Sequence, residues 1–85
     1  MKVINNDQIK KSRIIEPEFQ AILQLYEART DMGITQKELS QRSGVRQSNI
    51  SRIERGTCSP TIRTLSELAY AMGKKLEIKI KSGRD

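Results

Sequence analysis

Five hydrogen-bonding side chains between residues 47 and 55 share a spacing that would place them on one side of a helix. They are Gln47, Ser48, Ser51, Arg52 and Arg55, and none of them is acidic. Ile50 and Ile53 would occupy the opposite side of that helix. Gln can make two hydrogen bonds to adenine and Arg two to guanine, while Ser can bond to several base edges. The chemistry that this polar face could carry is therefore recognition of base edges in the DNA major groove.

Residue types suited to catalysis or metal binding are scarce. The chain has no histidine and a single cysteine, Cys58, which gives neither a set of zinc ligands nor an internal disulfide. The sequence also has no glycine-rich phosphate loop and no nucleophile beside an obvious base. We therefore expect a protein that is not an enzyme and that holds no cofactor or metal, with Cys58 as a small loop residue.

The charge pattern favours a nucleic-acid partner. The 85 residues suit one small domain and carry a net charge of +6. Basic residues are in excess at both ends, whereas the middle of the chain is neutral, with acidic residues first and arginines later. The later arginines are Arg42, Arg46, Arg52, Arg55 and Arg63. Positive charge is thus concentrated around the polar face.

The chain offers no candidate for a membrane span or a signal peptide. No stretch approaches the roughly 20 apolar residues that a spanning helix needs. The N-terminal sequence MKVINNDQIKKSR has no apolar core of the kind found in secretion signals. We expect a cytoplasmic protein.

Helical signals lie on both sides of the polar face. Apolar residues recur at intervals of three and four over residues 17–32, which predicts a first helix that ends at Gly33. The sequence TQKE, from Thr35 to Glu38, is a capping box that begins a second helix, and Gly44 can end it. A third helix is predicted over residues 46–55.

A fourth helix and a strand are predicted after Gly56. Ser59 is expected to cap the helix, Pro60 to open it, and Gly73 to end it. The inward residues of that helix are predicted to be Ile62, Leu65, Leu68, Ala69 and Met72.

The tail that follows has the two-residue repeat of a strand. Leu76, Ile78 and Ile80 alternate with charged residues in LEIKIK. A single strand is not stable alone, so it needs a partner. The same strand of a second chain is the simplest partner, which would make this tail a dimerisation element. The N-terminal KVIN segment and another protein remain the alternatives.

The helix, glycine turn and helix beginning at Thr35 have the lengths of a helix-turn-helix unit. The run TQKELSQRSGVRQSNISRIERGTCSPTIRTLSELAYAMG resembles the Xre family, the helix-turn-helix of phage Cro and repressor proteins. The shared motifs are T-Q-x-x-L, G-V, I-S-x-x-E-x-G, P and T-L, and the resemblance extends from about residue 19 to residue 73. It implies an all-α fold, a compact lambda-repressor-like domain of four or five helices. We divide the chain into an N-terminal extension (1–16), this domain (17–73), and a C-terminal β-strand with a basic tail (74–85).

The resemblance also implies roles for individual residues. By position in the motif, Gln47, Ser48 and Arg52 match residues that read bases, with Arg46 and Ser51 as secondary candidates. Arg29 and Glu54 match a partly buried ion pair that holds the recognition helix against the bundle. Phosphate contacts are expected at helix starts and in the loop after the recognition helix. The phosphate candidates are Gln36, Arg42, Asn49, Arg55, Thr57, Ser59, Thr61 and Arg63.

The function favoured by these features is a transcriptional repressor that binds double-stranded operator DNA as a homodimer on an inverted repeat. Resemblance to small HigA and HipB antitoxins implies a more specific role, the autoregulating antitoxin of a toxin–antitoxin operon with a small toxin as partner. Apolar residues in the N-terminal extension could cover such a partner. The alternatives are a free-standing phage-type or metabolic regulator and, in another class, a protein-interaction module that has lost DNA binding.

Overall fold

Four helices form the regular structure of residues 16–83, the part of the chain that the computed structural model describes. They are α1 (Glu16–Asp31), α2 (Gln36–Ser43), α3 (Gln47–Glu54) and α4 (Ile62–Ala71). The prediction of an all-α helix-turn-helix fold is confirmed. The proposed roles of the N-terminal extension and of the KVIN segment concern residues that, apart from Glu16, lie outside the described range.

Helix α2 begins and ends where the sequence predicts. The Thr35 hydroxyl accepts a hydrogen bond from the Glu38 backbone N–H at 3.0 Å, and the Glu38 carboxylate accepts one from the Thr35 N–H at 2.9 Å. This reciprocal pair is the predicted capping box. At the other end Gly44 has φ +78°, a conformation that costs glycine little. Its N–H donates to the Ser40 carbonyl at 2.9 Å.

The start of α4 differs from the prediction. Thr61, not Ser59, is the N-cap, and its hydroxyl accepts from the Thr64 N–H at 3.1 Å. Ser59 precedes Pro60, and its hydroxyl instead donates to the Glu18 carboxylate at 3.4 Å. Because Ile62 is the first residue of α4, it lies at the edge of the bundle and is 62% exposed. The prediction that Ile62 points into the core is therefore wrong.

The core lies where the four helices meet. Helix α2 packs on α3 and α4, and α1 packs on the same two helices. Ile22, Leu39, Ile50, Ile53 and Leu68 are the largest fully buried side chains. The two isoleucines of α3 thus lie at the centre of the apolar cluster, which fixes the opposite side of α3 toward solvent.

The predicted C-terminal strand is absent from the described residues. Residues 74–83 follow α4 without regular secondary structure. A strand exists only where a neighbouring strand supplies hydrogen bonds, and the described part of this single chain contains no second strand. Leu76 is half-buried, whereas Ile78 and Ile80 are exposed. The prediction of a strand within the single chain was therefore wrong, and pairing with a second chain stays a prediction.

Candidate nucleic-acid interface

Helix α3 divides into an inward and an outward side. Ile50, Ile53 and Glu54 are its buried residues. Gln47, Ser48 and Arg52 are exposed, as is Arg46 just before the helix, while Asn49 and Ser51 are half-buried. The exposed side chains are all hydrogen-bonding and none is acidic. The structure therefore presents the base-reading candidates together on one helix, away from the core.

Tertiary packing, more than local sequence, makes α3 helical. Its N-cap residue, Arg46, forms no side-chain capping hydrogen bond, and Ser and Asn in its first turn are mediocre helix formers. The two inward isoleucines are each only 1% exposed. Their burial is the main stabilisation of a segment whose exposed residues favour a loop.

The end of α3 is a tight hydrogen-bonded turn. The Thr57 N–H donates to the Arg52 carbonyl, and the Gly56 N–H to the Ile53 carbonyl, both at 3.0 Å. Gly56 adopts φ +74°, as this Schellman arrangement requires. The Thr57 hydroxyl donates to the same Arg52 carbonyl at 3.1 Å. The chain thus leaves α3 abruptly and enters the loop that contains several of the phosphate candidates.

A buried ion pair joins α1 to α3. Arg29 donates from Nε to Glu54 Oε2 at 2.7 Å and from Nη2 to Glu54 Oε1 at 2.8 Å. The expected pair is therefore present in a bidentate geometry, with both residues no more than 9% exposed. The hydrogen bonds to Glu54 raise the pKa of the Arg29 guanidinium above its usual value, against the opposing effect of burial. The remaining Arg29 nitrogen, Nη1, donates to the Ile34 carbonyl at 2.9 Å.

Gln36 extends this ion pair to α2. Its side-chain amide donates to Glu54 Oε1 at 2.8 Å, the oxygen that also accepts from Arg29. The sequence analysis missed this contact and assigned Gln36 to phosphate alone. Nothing in the local sequence indicates a contact with a residue eighteen positions away. Three helices therefore meet at one carboxylate, which fixes the orientation of α3 relative to α2.

Apart from Gln36, described above, the phosphate candidates fall into three groups. Arg42 is exposed in the last turn of α2, and Arg55 is exposed directly after α3. Thr57, Ser59 and Thr61 are exposed, and each hydroxyl already makes a hydrogen bond within the chain.

Two phosphate candidates lie outside the loop that connects α3 to α4. Arg63 lies on α4 and forms an exposed ion pair with Glu67, with 3.8 Å between Arg63 Nε and Glu67 Oε2. Asn49 lies on α3 and is half-buried. Among the phosphate candidates, Arg42 and Arg55 are the exposed cations that adjoin the helix-turn-helix.

Among residues 16–83 no three His, Cys, Asp or Glu side chains gather in a way that could hold a metal ion. None of the four described helices combines the length and the hydropathy of a membrane-spanning segment.

Comparison with known proteins gives one consistent family. A family model described as "Helix-turn-helix" matches residues 25–79. An uncharacterized HTH-type transcriptional regulator of Haemophilus influenzae is 36% identical over 77 residues, which cover 91% of this chain and 76% of that protein. The uncharacterized HTH-type transcriptional regulator y4dJ of Sinorhizobium fredii is 49% identical over 45 residues, covering 53% of this chain and 58% of that protein.

Among solved structures, a chain described as "Toxin-Antitoxin module from Streptococcus pneumoniae" has a similar fold. The TM-score is 0.64 at 32% sequence identity, and the match covers 93% of this chain and 84% of that chain.

Proposed function

The chain belongs to the Xre-type helix-turn-helix family of transcriptional regulators, and from this premise we propose that it is a repressor that binds an inverted-repeat operator as a homodimer. The observation that carries the proposal is the outward side of α3, where Gln47, Ser48 and Arg52 are exposed together on a helix held by its buried isoleucines. In this arrangement α3 enters the major groove of DNA as the recognition helix.

Base reading is assigned to the exposed residues of α3. Gln47 is suited to a two-bond contact with adenine and Arg52 to one with guanine. Ser48 can bond to several base edges. Arg46 and Ser51, at the start and the edge of this side, are secondary candidates. Glu54 and Arg29 are excluded from DNA contact because both are buried in their ion pair.

Phosphate contacts are assigned to the residues around α3, with Arg42 and Arg55 as the principal cations. Such contacts set the position of the protein on DNA and carry no sequence information. Affinity should fall with salt by a log–log slope of about −0.9 for each phosphate neutralised. Arg55→Ala is therefore expected to make the slope less steep by about 0.9, measured by fluorescence anisotropy across a salt series.

A homodimer is proposed because one recognition helix reads too few base pairs for useful selectivity. Two helices related by a two-fold axis would read half-sites about 34 to 36 Å apart along DNA. Leu76, Ile78 and Ile80 of the tail are the residues assigned to the contact between subunits. Repression would follow when the bound dimer blocks a promoter in the cytoplasm.

The antitoxin role is a finer proposal. It is supported by the similar solved chain, which is described as a toxin–antitoxin module. Copurification tests it: the tagged protein is expressed with the product of the adjacent gene. Recovery of a stable complex is expected. If the neighbouring product neither binds nor is toxic, a free-standing regulator is the better description.

Selection of bound DNA from a random pool tests the repressor proposal. We expect a recovered site with inverted symmetry. On that site Gln47→Ala and Arg52→Ala should each change preference at particular base pairs by about 1 to 3 kcal/mol. Gln24→Ala, at an exposed glutamine of α1, is the matched control and should leave the preference unchanged.

Two outcomes would contradict these assignments. Uniform weakening across all sequences would move Gln47 and Arg52 to the phosphate contacts. Failure to select any DNA would favour the protein-interaction module.

A further inference from the structure

Two sets of side-chain hydrogen bonds connect α2 to α3, one at each end of the helix pair. At the turn between the helices, the Ser40 hydroxyl donates to the Val45 carbonyl at 2.6 Å, and the Ser43 hydroxyl accepts from the Val45 N–H at 3.1 Å. At the far ends, the Gln36 side-chain amide donates to Glu54 Oε1 at 2.8 Å. Gln36 is the first residue of α2, and Glu54 is the last residue of α3. We call this far contact the clasp, because it closes the open side of the helix pair.

We propose that the clasp sets the angle of α3, and that Gln36 is thereby a positioning residue for the recognition of bases near the end of α3. The inference rests on the repressor function proposed above and adds a residue that acts on specificity without contacting a base. Its effect is graded along α3. The effect is largest at Arg52, close to the clasp, and smallest at Gln47, close to the turn.

Burial and the clasp constrain α3 in different ways. Ile50 and Ile53 are each 1% exposed and hold α3 against the bundle. Apolar contact has no preferred direction, whereas a hydrogen bond weakens steeply when its distance or angle departs from the optimum. Burial therefore supplies most of the stability of α3, and the clasp supplies a directional constraint on its angle.

Arg29 gives the clasp a fixed anchor. Its guanidinium donates to both oxygens of the Glu54 carboxylate, at 2.7 and 2.8 Å. The same guanidinium donates from Nη1 to the Ile34 carbonyl at 2.9 Å, shortly before α2 begins. These three bonds do not involve Gln36. A variant without the clasp therefore keeps the buried ion pair and is expected to fold.

The length of α3 converts a small change of angle into a displacement that grows away from the turn. Residue 52 lies five positions beyond residue 47, which corresponds to about 7.5 Å along a helix axis. A rotation of about 8° about the turn therefore moves Arg52 by about 1 Å relative to Gln47. A two-bond contact between Arg52 and guanine depends on the distance and angle of both bonds. It is therefore weakened more than a contact close to the pivot.

Gln36→Met tests the clasp, because methionine keeps the length of the side chain and removes the N–H donor. Gln41→Met, at an exposed glutamine of the same helix, is the matched control. Affinity is measured by fluorescence anisotropy for the selected operator and for each of its single-base substitutions. The base pairs read by Arg52 and by Gln47 are identified beforehand from the Arg52→Ala and Gln47→Ala variants.

The expected result is a selective loss of preference. In Gln36→Met the preference at base pairs read by Arg52 should fall about tenfold, and the preference at those read by Gln47 less than about twofold. Gln41→Met should change neither. Gln36→Lys retains an N–H donor for the Glu54 carboxylate, so it should keep the preference at base pairs read by Arg52.

Four results would overturn the proposal. Equal weakening on every DNA sequence would assign Gln36 to a phosphate contact alone. Equal loss at base pairs read by Gln47 and by Arg52 would indicate a general loosening of α3 and not a change of angle. Loss of preference in both Gln36→Met and Gln36→Lys would assign the effect to side-chain shape. Unchanged preference in Gln36→Met would remove the clasp from recognition altogether.

A measurement on the free protein separates the clasp from DNA binding. Residual dipolar couplings of the backbone N–H groups report the orientation of α3 relative to α2. We expect that orientation to differ from the wild type by several degrees in Gln36→Met and to stay the same in Gln41→Met. An orientation that is unchanged in Gln36→Met would overturn the role of the clasp in setting the angle.

These outcomes are separable from those of the proposed function. A protein that selects a DNA site, but whose α3 keeps its orientation in Gln36→Met, would overturn the clasp and leave the repressor proposal intact. A protein whose α3 changes orientation as expected, but that selects no DNA, would retain the clasp as the contact that sets the angle. That second result would overturn the role of Gln36 in base recognition together with the repressor function.

Discussion

Helices α2 and α3 are neighbours of eight residues each, yet they are stabilised by different means. Helix α2 has a complete capping box at one end and a left-handed glycine at the other. Helix α3 has no side-chain cap at its start and depends on Ile50, Ile53 and Glu54, all buried. The difference shows how a helix can keep a polar side exposed, here the side proposed to contact DNA: its stability is supplied by the side turned inward.

The largest expected effect on the free energy of unfolding is at Glu54, the buried carboxylate of α3. Glu54→Ala leaves the Arg29 guanidinium buried without its partner, which should lower the free energy of unfolding by about 3 to 5 kcal/mol. Urea denaturation followed by circular dichroism measures it. The control is Glu67→Ala, which removes a carboxylate from the exposed pair with Arg63 and should cost about 0.5 kcal/mol or less. Equal losses for the two variants would mean that the buried pair does not stabilise α3.

The second largest effect on the free energy of unfolding is expected at the buried isoleucines of α3. Ile53→Ala should cost about 2 to 4 kcal/mol, because it removes packed methyl groups and leaves a cavity among the core side chains. Ile62→Ala is the matched control, since Ile62 is exposed at the start of α4, and its cost should stay below about 1 kcal/mol. Thermal denaturation of the pair measures the difference. Similar costs at both positions would contradict the view that α3 depends on burial.

The third prediction compares the two helix starts directly. Thr35→Ala removes the side-chain oxygen that caps α2 and should cost about 1 kcal/mol. Arg46→Ala, at the equivalent position of α3, removes no capping bond and should leave the free energy of unfolding nearly unchanged. The comparison would fail if Arg46→Ala were as costly as Thr35→Ala in the same urea titration.

The smallest expected effect is on the outward side of α3. Gln47→Ala and Arg52→Ala should each change the free energy of unfolding by no more than about 0.5 kcal/mol, because both side chains are exposed. The same variants are expected to lose discrimination among DNA sequences. A large loss of stability in either would show that this side also supports the fold.

The contrast between α2 and α3 explains which parts of the structure could be predicted from sequence. The start and end of α2 depend on residues three or four positions apart, so TQKE and Gly44 were sufficient to locate them. The position of α3 followed from the spacing of Ile50 and Ile53 between Gly44 and Gly56. The pairing of Arg29 with Glu54 came from the family resemblance, since no local pattern connects positions 25 residues apart.

The errors have different physical causes, and the first is competition between two signals of equal local strength. Ser59 and Thr61 are both good capping residues next to Pro60, and the choice of Thr61 moved Ile62 out of the core. The alternation at Leu76, Ile78 and Ile80 is a real strand pattern, but a strand needs a partner that sequence does not supply. The contact of Gln36 with Glu54 depends on how α2 and α3 pack, which periodicity does not specify.

The separation of the two sides of α3 has a consequence for how such a protein can change over generations. Substitutions at the outward positions 47, 48 and 52 should carry little penalty in folding, so under the proposed function the preferred DNA sequence can drift while the bundle stays the same. The buried meeting point of Arg29, Gln36 and Glu54 has less freedom, because a change there removes a hydrogen bond to the buried Glu54 carboxylate or removes that carboxylate itself. Duplicated copies of a gene encoding this chain could therefore acquire different operators through a few changes on one helix.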